Sequence, residues 1–201
     1  MKKILQIVVL PLAIIGLAYA ILNSVQKPVQ FEKNRKWREK VGADRLKDIR
    51  TLQVAFKSNY GRFTSSVDSL IDFYKNGQIT VVRQVGSWDD SVAVAEKRVY
   101  RDSIKIAVKD TLLKRADFNP DSLKTIPFSG GKPLQMQAVI KKVSGVDVPL
   151  FEASMPYELL LKDMDHQLLV NLWHERTETG RYPGLKVGSV DAPNNNAGNW
   201  E

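Results

Sequence analysis

Residues 4–25, "ILQIVVLPLAIIGLAYAILNSV", form an apolar run without a single charge, in which only Gln6, Asn23 and Ser24 are clearly polar. A helix rising about 1.5 Å per residue over this length crosses a hydrocarbon core of about 30 Å. Pro11 is tolerable inside such a helix. Pro28, just past the run, is expected to break or kink the chain. A helical pattern resumes at about Val29. Residues 31–40 are far more polar, with Trp37 the large apolar residue within the basic stretch that starts at Lys33. The period then sharpens. Leu46, Ile49, Leu52, Val54, Ala55, Phe56 and Tyr60 include an i, i+3, i+4 series, which marks one buried helix face. Asp44, Arg45, Lys47, Asp48, Arg50 and Lys57 fall mostly on the other face.

Asn59-Tyr60-Gly61 ends this helix, with Gly61 suited to a left-handed cap. Thr64 or Ser65 can cap a second helix whose first turn holds Asp68. Its apolar face is Val67, Leu70, Ile71 and Tyr74, and Asn76-Gly77 closes it. Beyond Gly77 the pattern becomes short and β-rich. "QITVVRQV" (78–85) and "DSIKIAVKDTLL" (102–113) read as strands, the second by alternation of Ile104, Ile106 and Val108 with lysines. Residues 86–98 read as a loop with a turn or two of helix, and 119–133 as turns. "LQMQAVIKKVSG" and "VDVPLFEASMP" read as paired strands about Ser144-Gly145. "YELLLKDMD" reads as a short helix and "HQLLVNLWHERTE" as a strand. The predicted fold class is α+β: an N-terminal transmembrane helix, then an amphipathic helix packed on an antiparallel sheet. The corresponding segments are an anchor (1–25), a basic juxtamembrane stalk (26–45) and a globular domain (46–201).

Charge sharpens this division. Lys2 and Lys3 precede the apolar run. Residues 26–62 hold eleven Lys/Arg against four Asp/Glu, whereas residues 63–201 hold seventeen against eighteen. The globular part is nearly neutral, so a nucleic-acid partner is not expected. Basicity beside an apolar segment suggests anionic lipid headgroups instead. The candidate membrane-surface residues are Lys33, Arg35, Lys36, Trp37, Arg38 and Lys40. They follow the apolar run by 8 to 15 residues, roughly 12–23 Å along a helix. With a Debye length of about 8 Å, the farther ones sense the membrane only if Pro28 folds the helix back onto it. Residues 29–40 are therefore expected along the membrane surface, with Trp37 at headgroup level. The alternative is an upright, solvated stalk.

A cleaved signal peptide competes with a retained anchor, because Ala18-Tyr19-Ala20 has the form of a cleavage site. Ile21 and Leu22 continue the apolar run past that point and favour the anchor. Orientation signals conflict. Lysine and arginine are more numerous after the segment, which places the domain in the cytoplasm. The signal-like N-terminus places it outside. The expectation adopted is a single-pass inner-membrane protein with a periplasmic domain.

No cysteine occurs, which excludes disulfides and cysteine-based zinc sites. His166 and His174, with Asp163, Asp165 and Glu175 nearby, are the candidate metal ligands. A spacing of eight on a strand sets the histidines far apart, so no metal is expected. Asp89-Asp90 and Asp163/Asp165 read as solvated turns. Gly130-Gly131 lacks the strand and helix of a phosphate loop. No nucleophile–base constellation is visible, so neither catalysis nor a cofactor is expected. The tail "NNNAGNWE" reads as a frayed end, or as one tied down by Trp200, a residue seldom left in water.

The N-terminal apolar helix, its amphipathic continuation, "YGRF" and the short helix "SSVDSLIDF" resemble type IV pilins and type II secretion pseudopilins over about residues 1–75. That resemblance implies one long helix packed on a small antiparallel sheet. The chain has no Gly-Phe pair and no acidic residue before Glu32, so it implies the build and not pilin processing or polymerisation. The whole chain, including "RYPGLKVGSVDAPNNNAGNWE", also resembles a family of bacterial membrane-anchored proteins without an assigned activity. The implied function is a structural or assembly component of the envelope, working through membrane lipid and through protein partners or copies of itself. The alternative is a solitary anchored binding module for a periplasmic ligand.

Overall fold

The computed structural model describes residues 10–85, Asp89, Ala95 and residues 99–201. The expected loop at 86–98 therefore lies almost wholly outside the described residues. The fold is α+β, with a long N-terminal apolar helix and antiparallel sheets.

Helix α1, Leu10–Tyr60, has 51 residues and is continuous through Pro28, about 77 Å long. The expected break at Pro28 does not occur. A proline lacks one backbone donor, and here that gap falls in a fully exposed stretch flanked by helix-forming residues. Large apolar side chains from Leu12 to Val29 all point into open space. Packing begins at Phe31, which is 6% exposed, and continues through Gly42, Ala43, Leu46, Ile49 and Leu52. The buried stripe thus enters the segment expected to be a free stalk. Leu46, Ile49 and Leu52 are fully buried, each stabilising the domain by about 1.5–3 kcal/mol. Val54, expected on the same face, is exposed, because a straight helix carries it off the stripe.

The stripe lies on the sheet β3 (Gln135–Val143), β4 (Val146–Pro156), β5 (Gly184–Gly188), in that order and fully antiparallel. Ser144 and Gly145 turn β3 into β4 with positive φ at both positions. Phe151, Ala153 and Met155 of β4 point into the core. Gly42 is where helix and sheet come closest: a Cβ there would stand 2.7 Å from Leu185 Cδ1. Strand β5 has no counterpart in the sequence reading.

Helix α2, Val67–Asn76, follows the corner after Gly61, whose φ is +73° as its role as a helix end requires. Its cap is Ser66, not Thr64 or Ser65, and the Ser66 hydroxyl accepts from Ser69 N–H. The corner is held from inside by Gln53, a fully buried polar side chain. Its Nε2 donates to Thr64 O at 2.6 Å and its Oε1 accepts from Thr64 N–H at 3.1 Å. Gln53→Leu strands both Thr64 groups, so a loss of about 1–3 kcal/mol is expected in thermal unfolding.

Strands β1 (Gln78–Val85) and β2 (Tyr100–Ala107) pair as a separate antiparallel ribbon. Val81, Val82 and Ile104 are exposed on it. A short 3-10 turn, Val108–Asp110, follows β2, and another spans Pro120–Lys124. A one-turn helix α3, Tyr157–Leu160, leaves β4. The segment 166–178 is helix α4, His166–Glu178, and not a strand. Asp165 caps it, accepting from Gln167 and Leu168 N–H. Leu168, Leu169 and Leu172 pack on the core at helical spacing. The tail is docked, not frayed. Gly198 bridges to Val187, Asn199 Nδ2 donates to Gly184 O at 2.8 Å, and Arg50 meets Glu201 at 2.7 Å. Trp200 packs at the edge of the core.

Candidate functional site

The basic segment of α1 divides by face. Arg35 and Arg38 turn inward. Arg35 Nη2 lies 2.6 Å from Glu32 Oε2, and Nη1 lies 3.5 Å from Glu39 Oε1. Arg38 donates to both carboxylate oxygens of Asp163, one at 2.8 Å, and to Leu160 O at 3.3 Å. Its guanidinium sits 4.7 Å from the Phe128 ring. The Arg38 hydrogen bonds hold the Asp163 carboxyl at about 2, well below the usual carboxylate range. Trp37 is 57% exposed and stacks on Phe128 at 5.1 Å. Phe128 itself has a left-handed backbone, φ +60°. Lys33, Lys36 and Lys40 point outward with no hydrogen bond or ion pair among the described residues. Of the six candidate surface residues, the three lysines have no partner among the described residues, Trp37 is exposed against Phe128, Arg35 is paired within α1, and Arg38 alone ties α1 to the domain. His166 and His174 stand eight residues apart on α4, about 12 Å along its axis. No group of three metal-ligating side chains occurs among the described residues.

Beside this segment lies a cleft of about 430 Å³, open on one side, between α1, the start of β5, α4 and the C-terminal tail. Lys36, Lys40 and Lys47 line it from α1, Tyr157 and Arg176 from the opposite wall, and Leu185 and Trp200 from its apolar side. Tyr157 Oη donates to Glu39 Oε1 at 2.5 Å. Burial, and then that bond to a carboxylate, push the phenol well above its ordinary range, so Tyr157 stays protonated and is not a base at neutral pH. Lys47 is paired with Asp44 at 3.1 Å. The Arg176 guanidinium lies 6.0 Å from the Tyr157 ring, and no acceptor meets its buried Nε. The buried indole nitrogen of Trp200 likewise has no acceptor. The cleft offers four cationic side chains, two carboxylates that are already paired, and hydrogen-bond donors against an aromatic and aliphatic wall.

Sequence reasoning pointed to Trp200 and Lys36 but not to the cleft. Glu39, Tyr157, Arg176 and Trp200 are scattered over more than 160 positions, and nothing local marks them as neighbours. No family profile, curated protein or solved structure matches this chain.

Proposed function

We propose that this is a single-pass inner-membrane protein of the bacterial envelope, pilin-like in build, that holds its α+β domain at a fixed height and works through protein contacts. One observation carries the reading: α1 is a single helix whose large apolar side chains from Leu12 to Val29 are exposed and which from Phe31 onward is the spine of the domain. An 18-residue window near its start averages a mean hydropathy of 1.3 and is wholly unburied. In water, such a surface is unfavourable by roughly 25 cal/mol for each Å² exposed; in a bilayer it is matched. The domain is assigned to the periplasm, and the outward lysines Lys33, Lys36 and Lys40 to an acidic partner, since the unbroken helix carries them roughly 12–23 Å beyond the apolar run. The exposed β1–β2 ribbon is the surface proposed for protein partners or further copies, since unpaired strand edges invite pairing. Nucleic acid has no place in this reading.

The cleft favours a second reading, a solitary anchored binding module. Chemical cross-linking of the full chain in its native membranes separates the two. A ladder of homo- or hetero-oligomers is expected for an assembly component. Monomer alone would leave the binding module.

A further inference from the structure

We propose that the cleft between α1 and α4 binds an oxyanion carried on an organic ligand, a carboxylate or a phosphate group, with Arg176 as its principal contact and Lys36 and Lys40 beside it. The inference deepens the binding-module reading and rests on it.

The evidence is a charge imbalance inside a shaped cleft. Five arginines among the described residues are half-buried: Arg35, Arg38, Arg45, Arg50 and Arg176. Four of them have acceptors. Arg35 has Glu32 and Glu39, Arg38 has Asp163, Arg45 has Thr125 O at 2.7 Å, and Arg50 has Glu201. Arg176 has neither a hydrogen bond nor an ion pair from its side chain, only the Tyr157 ring. A guanidinium stripped of part of its water and given no acceptor is unfavourable, and such a group in a native protein calls for a missing partner. The nearby carboxylates do not supply it. Glu39 is engaged by Tyr157 and Arg35, and Asp44 by Lys47. Lys36 and Lys40 line the same cleft, also unpaired. Glu39 and Asp44 line the cleft too, but each is already paired, so Arg176, Lys36 and Lys40 are three cations on one space that no carboxylate of the lining engages.

The shape sets the class of ligand. A planar guanidinium matches carboxylate and phosphate oxygens in pairs. A volume of about 430 Å³ exceeds what a bare inorganic ion fills and falls in the range of small-ligand sites. Leu185, Ala43 and Trp200 provide an apolar wall for the ligand's carbon portion, and the Trp200 indole N–H is buried behind that wall without an acceptor, close enough to report on it. The oxyanion can come from a soluble molecule or from a lipid headgroup, and the two sources are distinguishable.

The test uses the full chain in non-ionic detergent micelles, with the Trp200 indole N–H resonance as the readout and assignment by Trp200→Phe. One arm adds inorganic phosphate or acetate at constant ionic strength against chloride. The other dopes the micelles with phosphatidylglycerol. A saturable shift in either arm, weakened at least about tenfold by Arg176→Gln and untouched by Lys33→Gln, is expected; the arm that responds names the source. Should Arg176→Gln fail to fold, Lys36→Gln with Lys40→Gln, both exposed and unpaired, is expected to weaken the response severalfold. No saturable response in either arm, or one that these variants leave unchanged, overturns the proposal. Monomer in the cross-linking experiment with no anion response removes this ligand and keeps the module. An oligomer ladder with an anion response keeps the site and removes the solitary module.

Discussion

Replacing Ile14 and Ile15 together by lysine releases the protein from the membrane while leaving its domain folded. Both side chains lie near the middle of the apolar run and are more than half exposed, so they contribute nothing to domain packing. A lysine at the centre of a membrane helix costs about 2.5–3.5 kcal/mol, and two cost about 5–7. That is enough to reverse partitioning for a single span. Alkaline carbonate washing of membranes measures it. Unmodified chain is expected in the pellet and the double variant in the supernatant, with the same thermal unfolding transition for the domain. A double variant that stays in the pellet would show that another surface does the anchoring.

The largest expected loss of stability comes from Arg115→Ala. Asp48 is one of four buried polar or charged side chains among the described residues. It lies on α1 where hydrophobic periodicity places the solvent face. Arg115 reaches it from the loop after β2, with two bonds of 2.6 and 3.0 Å. Taking away one partner of such a pair leaves a buried carboxylate unpaired, which costs about 3–5 kcal/mol. About 3 kcal/mol is expected here, because Arg115 is half exposed and water screens its side of the pair. The loss depends on pH with a defined sign. Burial pushes the Asp48 carboxyl above its ordinary 3.8, and Arg115 pulls it back down. The folded state therefore holds the Asp48 proton to higher pH than the unfolded state does. Stability falls as pH rises from 3.8 through the raised value. Removing Arg115 raises that value further. Urea unfolding should show a small difference between variant and parent near pH 4 and the full loss near pH 7.5. Asp48→Asn in the Arg115→Ala background should recover most of it. An equal loss at both pH values would mean that Arg115 acts through packing alone.

Asp48 also illustrates what the sequence could and could not reveal. The apolar run, the Leu46, Ile49, Leu52 face, the Gly61 corner, strands β1 and β2 taken singly, and the β3–β4 hairpin about Ser144-Gly145 are legible, because each depends on local periodicity or on backbone conformation. The lower half of the packed stripe is not. Its positions at 35 and 38 are arginines, which look like solvent-facing charge until the fold brings Asp163 against Arg38. Helix α4 was misread as a strand because its apolar residues are few and its cap, Asp165, resembled a loop acid beside a histidine. Strand β5 is five residues long, and two of them are glycine. Its pairing to β4 is visible only in three dimensions. The cleft was least legible, being defined by side chains from separate segments far apart in the chain, with nothing local to mark them as neighbours.

If, as proposed, one uninterrupted helix serves as both membrane anchor and domain spine, the domain is held rigidly rather than tethered. The chain has no cysteine, so spin labels at Leu17→Cys and Lys33→Cys report on this pair alone, with Pro28 between them. Both sites are exposed. Pulsed electron–electron distance measurement on the full chain in lipid nanodiscs is expected to give a single narrow distribution near the sixteen-residue helical separation of about 24 Å. A broad distribution, or one centred well below that distance, would mean that the helix breaks at Pro28 and would contradict the account.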